Sequence, residues 1–294
     1  MKIDLKRLKE ICAMPIADFA QFGEASQTPD GQLVYVPRGE PILGVCHLDT
    51  VHGHDRFEVV PLKGDTVLYN SQLDDRLGAY VLLELLPQLG VKCDLLLTEG
   101  EETGRSTAKH FVPPEGKTYN WCFEFDRRGM DVVMYQYESK KMVKLLHRHK
   151  FKVGVGSSSD IAYLGHLGVK CFNFGTGYHE EHGADAHANL GETERMVKKF
   201  AAFANAERDN RFAHDRSKEK IEGRFRSRLD LGDDDDDFRY DWDPKIMEFR
   251  KTKKSDVPTT TSSAQNGRDE DACVYCGCTP PHHTEGCPAV TYAE

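Results

Sequence analysis

The stretch L-L-T-E-G-E-E-T-G (residues 96–104) decides the fold of this chain, because an apolar run ends at Thr98 and two adjacent glutamates follow it. Three further apolar runs end in the same way, at Cys46, Phe125 and Phe174, each shortly before polar residues. Short apolar runs of this kind are typical of strands that are buried on both faces of a sheet.

Helical patterns alternate with these runs along the first two thirds of the chain. They cover residues 76–88, 140–149, 160–167 and 192–203. Another apolar run, which ends at Tyr137, is also predicted to be a strand. The alternation predicts an α/β domain with a mixed, mostly parallel sheet. Because ligands of open α/β sheets bind beyond the carboxyl ends of the strands, we expect the polar residues after each run to converge.

The composition is that of a soluble protein, since 30% of the 294 residues are charged and the net charge is −9. This acidic balance speaks against a general nucleic-acid binder and against binding to an anionic membrane surface. No apolar run approaches the roughly 20 residues that span a bilayer. The nine cysteines do not form a disulfide-type framework, which favours a reducing compartment, and we predict a cytoplasmic protein.

The chain divides into three parts by composition. Residues 1–206 carry the α/β pattern and are predicted to be one domain. Residues 207–270 are acidic, contain five consecutive aspartates at 233–237 and end in a Ser/Thr-containing piece, so they are predicted to be a linker with a short helix near Ile246. Residues 271–294 form a small module rich in cysteine and histidine.

Two histidines and three carboxylates in the polar segments have the character of metal ligands. The candidates are His47, Asp74, Glu102, Asp126 and His182. Groups of this type and number can hold two divalent cations, and zinc suits the mixed set best, with cobalt or manganese as substitutes. Asp74 is the candidate for the bridging carboxylate, with one oxygen directed to each cation.

Two acids near these ligands are predicted to have catalytic roles. Asp49 lies two residues after His47, and residues two apart in a strand share a face, so its carboxylate is predicted to orient the imidazole. Glu101 and Glu102 are neighbours that point in different directions. We therefore predict that Glu102 binds metal while Glu101 acts as the general base.

The carboxylate assignments have alternatives that the residues alone leave open. Asp74 could cap the helix that follows it, or Asp75 could be the bridge instead. Asp126 could be neutralised by Arg127 or Arg128 rather than by a metal.

The last ligand comes from a segment with three histidines, His179, His182 and His187. Any one of them could bind the metal, the other two being surface histidines of a loop.

The polar segments resemble motifs of the zinc exopeptidases that include peptidase T, the acetylornithine deacetylases and the glutamate carboxypeptidases. H-L-D-T-V (47–51) resembles their H-x-D-T-V, and L-D-D-R-L-G (73–78) resembles their D-D-K-x-G. T-E-G-E-E-T-G (98–104) resembles T-x-x-E-E-x-G, and residues 157–177 resemble a segment that begins S-D and ends N-x-G-x-G. The resemblance implies a three-layer αβα core and a di-zinc site.

The resemblance also implies a ligand arrangement. It selects His182 as the last ligand and makes Asp74 the bridge. It pairs His182 with Asp126 on one metal and His47 with Glu102 on the other, or has the equivalent pairing. The family usually carries a lid domain between the fourth and fifth ligands, whereas only 55 residues separate Asp126 from His182 here. A core without a lid domain is therefore expected.

The function predicted from these motifs is hydrolysis of a peptide or amide bond in small peptides by an aminopeptidase-like, di-zinc enzyme. A water held between the metals would attack, with Glu101 as general base. An N-acyl amino acid deacylase needs the same metals and is the alternative. A non-catalytic scaffold that binds a protein partner through the C-terminal module is a third interpretation.

The C-terminal module has a spacing close to that of a zinc knuckle, C-x2-C-x5-H-x4-C. The predicted ligands are Cys273, Cys276, His282 and Cys287. One zinc ion would supply much of the folding energy of so short a segment. His283 is an alternative to His282, and Cys278 is a spare thiolate. Zinc knuckles often bind single-stranded nucleic acid, but the local charge is not basic, so a protein contact or a structural role is an equal expectation.

Overall fold

The computed structural model describes residues 1–51, 56–62, 64–156, 158–183 and 185–215, together with two strands at 238–243 and 248–253. The chain forms two compact units, Met1–Leu231 and Gly232–Glu294. The predicted zinc-knuckle ligands between 273 and 287 lie outside the described residues.

Twelve strands are described in the first unit. In chain order they are β1 (Glu24–Thr28), β2 (Gly31–Val36), β3 (Ile42–His47), β4 (Glu58–Leu62), β5 (Asp65–Tyr69), β6 (Asp94–Thr98), β7 (Trp121–Arg127), β8 (Asp131–Val133), β9 (Lys152–Val153), β10 (Cys171–Gly175), β11 (Tyr178–His179) and β12 (His187–Asn189).

Eight of these strands form one mixed sheet in the order β1-β2-β6-β3-β7-β10-β8-β9. The four central strands, β6, β3, β7 and β10, are all parallel. Antiparallel pairs join β1 to β2, β2 to β6, and β10 to β8. The central strands are buried on both faces, which explains why their sequences are nearly continuous apolar runs. The prediction of a mixed, mostly parallel sheet is confirmed.

The helices of the first unit are α1 (Leu5–Ala13), α2 (Leu73–Tyr80), α3 (Leu86–Gln88), α4 (Lys140–Arg148) and α5 (Leu190–Glu207). A π-helical turn at Val81–Leu85 joins α2 to α3. Single turns or short stretches of 3₁₀ helix lie at Ile16–Phe22, Glu101–Thr103, Thr107–His110, Tyr135–Tyr137 and Asp160–Leu167.

The helices cover both faces of the sheet. The ring of Phe200 on α5 lies 4.5 Å from that of Phe123 on β7, which places α5 on the face to which Phe123 points. Glu124, the next residue of β7, points to the opposite face and contacts Ser159 at the start of the Asp160–Leu167 helix. The sheet is therefore the middle of three layers, as the family resemblance implies.

A second sheet of four short strands, in the order β11-β12-β5-β4, carries the segment with the three histidines. His182 lies in the loop between β11 and β12 and has a positive φ of 61°. Between Asp126 and His182 the described residues form β8, a 3₁₀ turn, α4, β9, a 3₁₀ helix, β10 and β11. The expectation of a core without a lid in this interval agrees with that arrangement.

The secondary structure differs from the expectation in two places. The apolar run that ends at Tyr137 forms strand only at Asp131–Val133, and Tyr135–Tyr137 is a 3₁₀ turn in which Tyr135 has a positive φ of 45°. The segment predicted as linker contains two antiparallel strands, β13 (Phe238–Asp243) and β14 (Glu248–Lys253). The alternation F-R-Y-D-W-D at 238–243 is a strand signal that the high acidity of the region obscured. The helix predicted near Ile246 falls outside the described residues.

None of the helices in the described ranges is long and apolar enough to cross a bilayer. The described cysteines, Cys12, Cys46, Cys93, Cys122 and Cys171, are buried free thiols. Burial raises the pKa of each of Cys12 and Cys93 to about 12, so these thiols are not reactive at neutral pH. The cytoplasmic location stays a prediction.

Candidate metal centre

The predicted ligands come together at the carboxyl edge of the four parallel strands. β3 ends at His47, and β7 places Asp126 one residue before its end. Glu101 and Glu102 form a 3₁₀ turn three residues beyond the end of β6. Because parallel strands end at the same edge, the sheet brings side chains that are distant in sequence into one cluster.

Asp74 occupies the centre of this cluster. Its Oδ1 lies 3.2 Å from Nε2 of His47, and its Oδ2 lies 3.1 Å from Nε2 of His182. Ligand atoms of His47, Asp74 and Glu102 all lie within 4.8 Å of one another. One carboxylate whose two oxygens face two imidazoles has the geometry expected of a group that bridges two cations.

The closest contacts of the remaining ligands differ from the pairing that the resemblance implies. Asp126 lies beside His47, with its Oδ1 3.6 Å from Nε2, and Glu102 lies beside His182, with its Oε2 3.0 Å from Nε2. The physical reason for these contacts is the strand order: β7 neighbours β3 in register, so Asp126 falls next to His47, while the β11–β12 loop brings His182 over the turn that holds Glu102. Ligand atoms of His47 and Glu102 nevertheless also lie within 4.8 Å of each other, so the pairing of the ligands on the two metals stays a prediction.

His47 is buried and fixed by its own chain. Its Nδ1 lies 2.9 Å from the backbone carbonyl oxygen of Asp49, so Nδ1 carries the proton and Nε2 is left to face Asp74. Burial lowers the pKa of His47, but hydrogen bonds to Asp126 and Asp74 outweigh burial and leave the pKa well above its ordinary value. The raised pKa favours a second proton on Nε2, between the two carboxylates; a bound metal would replace that proton, while the Nδ1 hydrogen bond keeps the direction of the ring fixed.

The hydrogen bonds of the Asp49 carboxylate go to the glutamate turn and not to the His47 ring. Its Oδ1 is 3.7 Å from Nδ1 of His47, too far for a hydrogen bond. Instead Oδ1 accepts the backbone N–H groups of Gly100 and Glu101 at 2.8 and 3.3 Å, and Oδ2 accepts that of Glu102 at 3.1 Å. Asp49 therefore orients His47 through its backbone and anchors the glutamate turn through its side chain.

The glutamate turn begins and ends at glycines with positive φ, 84° at Gly100 and 67° at Gly104. A Cβ atom at Gly100 would also lie only 3.0 Å from the carbonyl oxygen of Arg105, so glycine fits this position best. Burial, and then the charges of neighbouring carboxylates against that of His47, raise the pKa of Glu101 to about 7. The pKa of Glu102 is raised as well, mainly by burial.

Asp126 is positioned by groups that the sequence interpretation did not identify. Asn173 donates from Nδ2 to the Asp126 carbonyl at 2.9 Å and accepts the Asp126 N–H at 3.1 Å, next to an irregularity in the β7–β10 pairing. The hydroxyl of Tyr178 donates to Oδ1 of Asp126 at 3.2 Å. Burial and the charge of Asp74 raise the pKa of Asp126 well above its usual range.

The arginine alternative for Asp126 has no support. Arg127 forms an ion pair with Asp131 at 3.0 Å, and Arg128 forms one with Glu181 at 3.1 Å. Neither guanidinium contacts the Asp126 carboxylate in the described part of the chain.

The remaining alternative ligands make other contacts. Asp74 and Asp75 have non-helical φ and ψ within α2, and it is Asp75 that caps the regular turns after them, because its Oδ1 accepts the N–H of Gly78 at 3.1 Å. His179 lies 3.0 Å from a carboxylate oxygen of Glu192, and His187 contacts the carbonyl oxygen of Asp185 at 2.9 Å.

Two further buried acids lie beneath the centre. Asp160 accepts hydrogen bonds from the hydroxyls of Thr98 and Ser106, and Glu124 accepts one from Ser159. Burial raises the pKa of both acids, that of Glu124 with help from Asp126 and Asp160. A single glutamate inside the apolar run W-C-F-E-F is a sequence signal that could have identified Glu124.

The residues of the centre fit divalent cations. Carboxylates outnumber the imidazoles in a buried cluster, and their mutual repulsion is the type of strain that a cation relieves. Oε1 of Glu102 is buried and has no hydrogen-bond partner among the described residues. His47 and Asp126 with one oxygen of Asp74 would hold one cation, and His182 and Glu102 with the other oxygen would hold a second.

No protein-family model matches this chain, and no curated protein matches it. Solved structures do. The Pyrococcus horikoshii TET1 peptidase is 15% identical, with 68% of this chain and 98% of that chain covered and a TM-score of 0.50. Aminopeptidase PepT from Bacillus cereus is 12% identical, with 68% of this chain and 98% of that chain covered and a TM-score of 0.49. The similarity to the first of these shows that the two chains share a fold.

Proposed function

We propose that this chain is a two-metal hydrolase that cleaves a peptide or amide bond in small peptides, in the manner of an aminopeptidase. The observation that carries the proposal is the position of Asp74 between His47 and His182, with one carboxylate oxygen for each imidazole. The shared fold with a known peptidase is consistent with it.

Zinc is the proposed metal, because both halves of the centre offer imidazole and carboxylate groups. Two bound cations would supply an activated water and polarise the scissile carbonyl. The protein contributes the fixed directions of the ligands. His47 is held by the Asp49 carbonyl, Asp126 by Asn173 and Tyr178, and the Glu102 turn by the Asp49 carboxylate.

Glu101 is the proposed general base. It shares the short turn with Glu102, and its carboxylate has no ion-pair partner in the described ranges, so it is available to a substrate. It would accept the proton of the attacking water at a carboxylate oxygen and return that proton to the leaving nitrogen. Asp49 is a positioning residue in this scheme, since it acts on the backbone of the turn rather than on substrate.

The substitution Glu101→Gln tests this function. General-base catalysis contributes about 10²–10⁴-fold, so kcat should fall by that factor while the zinc content is unchanged. Glu99→Gln is the matched control, because Glu99 lies in the same segment but its carboxylate accepts the N–H of Gln32. The control should keep its kcat. A near-normal kcat in Glu101→Gln would refute the assigned role.

The substrate class is tested with the zinc-loaded full chain. A panel of dipeptides, tripeptides and N-acyl amino acids distinguishes an aminopeptidase from the deacylase alternative, which uses the same centre. Hydrolysis of peptides with a free amino terminus is the expected result. If the zinc-loaded protein hydrolysed no member of the panel, the scaffold interpretation would replace the proposal.

A further inference from the structure

One surface of this acidic protein is strongly basic. The basic face consists of Lys141, Lys144 and Arg148 on α4 together with Lys150 just beyond the helix, and all four side chains are exposed. Lys140 and Lys152 flank it. The net charge of −9 gives no indication of this surface, because a sum over the whole chain does not show how unevenly the charges are distributed.

The basic face points to solvent because the opposite side of α4 is apolar. Met142, Leu145 and Leu146 are buried against the core, and Ser139 caps the helix by accepting the N–H of Met142. Phe151 is buried directly after the helix. The orientation of the helix is therefore fixed, and the cations cannot turn inward.

The cations of the basic face are not neutralised locally. In the described ranges no carboxylate lies within ion-pair distance of Lys141, Lys144, Arg148 or Lys150. The nearby acids are engaged elsewhere: Glu207 pairs with His149 at 2.9 Å.

Two other charged residues bear on the basic face. Glu138 precedes α4 in the chain. Lys199 on α5 is a further cation close to Lys150: burial and then the charge of Lys150 lower the pKa of Lys199. Like charges gathered on one rigid surface repel each other, and a bound polyanion would remove that repulsion.

The spacing of the cations is linear. Residues three or four apart on a helix lie on one side and about 4.5–6 Å apart along the axis, which describes Lys141, Lys144 and Arg148. A row of phosphates is the partner with matching geometry. The exposed residues of α4 are all polar, which leaves no apolar side chain for insertion into a lipid surface.

We propose that the basic face binds the phosphate backbone of a single-stranded nucleic acid. A second observation comes from the sequence alone. The Cys/His pattern at 273–287, which lies outside the described residues, is close to a zinc knuckle, and zinc knuckles often bind single-stranded nucleic acid. The contact is electrostatic and carries no sequence preference. It is separate from the candidate metal centre and does not depend on the proposed hydrolase activity.

The test measures the fluorescence anisotropy of a labelled single-stranded RNA of about 20 nucleotides, titrated with the full chain over a series of salt concentrations. The variant carries Lys141→Gln, Lys144→Gln and Arg148→Gln. The control carries Lys2→Gln, Lys6→Gln and Lys92→Gln, which remove the same net charge from exposed positions elsewhere. Thermal melts of both variants verify that they fold.

The expected result is RNA binding by the wild type and by the control, with affinity at least about tenfold weaker in the α4 variant at about 0.1 M salt. The slope of log affinity against log salt should decrease in magnitude by about 2, since each lost phosphate contact contributes about 0.7 for a single strand. Binding that the α4 variant retains in full would overturn the proposal, as would the absence of RNA binding at about 0.05 M salt. Binding to anionic vesicles without binding to RNA would also overturn it.

Discussion

Replacing Asp49 with asparagine should loosen the glutamate turn while leaving His47 in place. The carboxylate accepts three backbone N–H groups of residues 100–102, two at one oxygen and one at the other. Asparagine keeps a single oxygen, and its amide group would face at least one of these N–H donors. A hydrogen bond to a charged group contributes about 1.5–3 kcal/mol, so the turn should lose about 2 kcal/mol of local stability.

This loss corresponds to a roughly 30-fold increase in the local opening equilibrium, since every 1.4 kcal/mol is a factor of ten. Hydrogen exchange of the Glu102 amide in the metal-free protein should accelerate by that factor. Competition with a chelator should show zinc binding weakened by about 10–100-fold, the usual effect of losing a group that supports a ligand.

Asp18→Asn is the matched control, because Asp18 is exposed on the 3₁₀ helix at Ile16–Phe22. It should change neither exchange nor zinc affinity. The imidazole nitrogen shifts of His47 should also be unchanged in Asp49→Asn, since the asparagine backbone still offers its carbonyl oxygen. Unchanged exchange at Glu102, or a tautomer change at His47, would refute the division of roles between the Asp49 side chain and backbone.

Two other substitutions test groups around the centre and far from it. Tyr178→Phe removes the hydroxyl that donates to Asp126, so zinc affinity should fall by about tenfold without unfolding, as chelator competition would show; an unchanged affinity would contradict this role. Asp94→Asn should destabilise the protein by about 3 kcal/mol at neutral pH, because Asp94 is buried against Lys117 at 2.7 Å. Burial alone would raise the pKa of Asp94, but the hydrogen bonds from Lys117 and from backbone N–H groups outweigh it and lower the pKa. The stabilisation is therefore present above the unfolded pKa of about 3.9 and is lost as the pH falls below it. Urea melts should show a difference in stability between the wild type and Asp94→Asn that shrinks below about pH 4. A difference that does not depend on pH would contradict the assignment.

Much of the centre was predictable because its ligands follow strands. His47 and Asp126 come at the ends of apolar runs, and Glu101 and Glu102 come after another. Parallel strands bring such positions to one edge whatever the order of the strands. Asp74 was predictable from the resemblance, although its carboxylate could not be distinguished from that of Asp75 by local sequence alone.

Which ligand side chains lie side by side was not predictable from local sequence, because it depends on which strands are neighbours. The order β6-β3-β7 places Asp126 beside His47, and no local pattern records that order. The role of Asp49 was not predictable for a related reason. Its carboxylate accepts hydrogen bonds from backbone N–H groups about fifty residues away, and every residue except proline has such a donor, so the sequence does not indicate which ones are used. The strand at 238–243 was not predicted, because the acidic composition of the region obscures the alternation of its aromatic residues.

The most direct test of the central claim is the zinc content of the full chain, measured by elemental analysis under reducing conditions with Cys273 and Cys276 replaced by serine to remove the predicted zinc of the C-terminal module. A two-metal centre predicts two zinc ions per chain. The further substitution Asp74→Ala should remove both or leave at most one weakly bound, because both halves share that carboxylate. A folded protein that binds no zinc, or that binds two ions equally well without Asp74, would contradict the account.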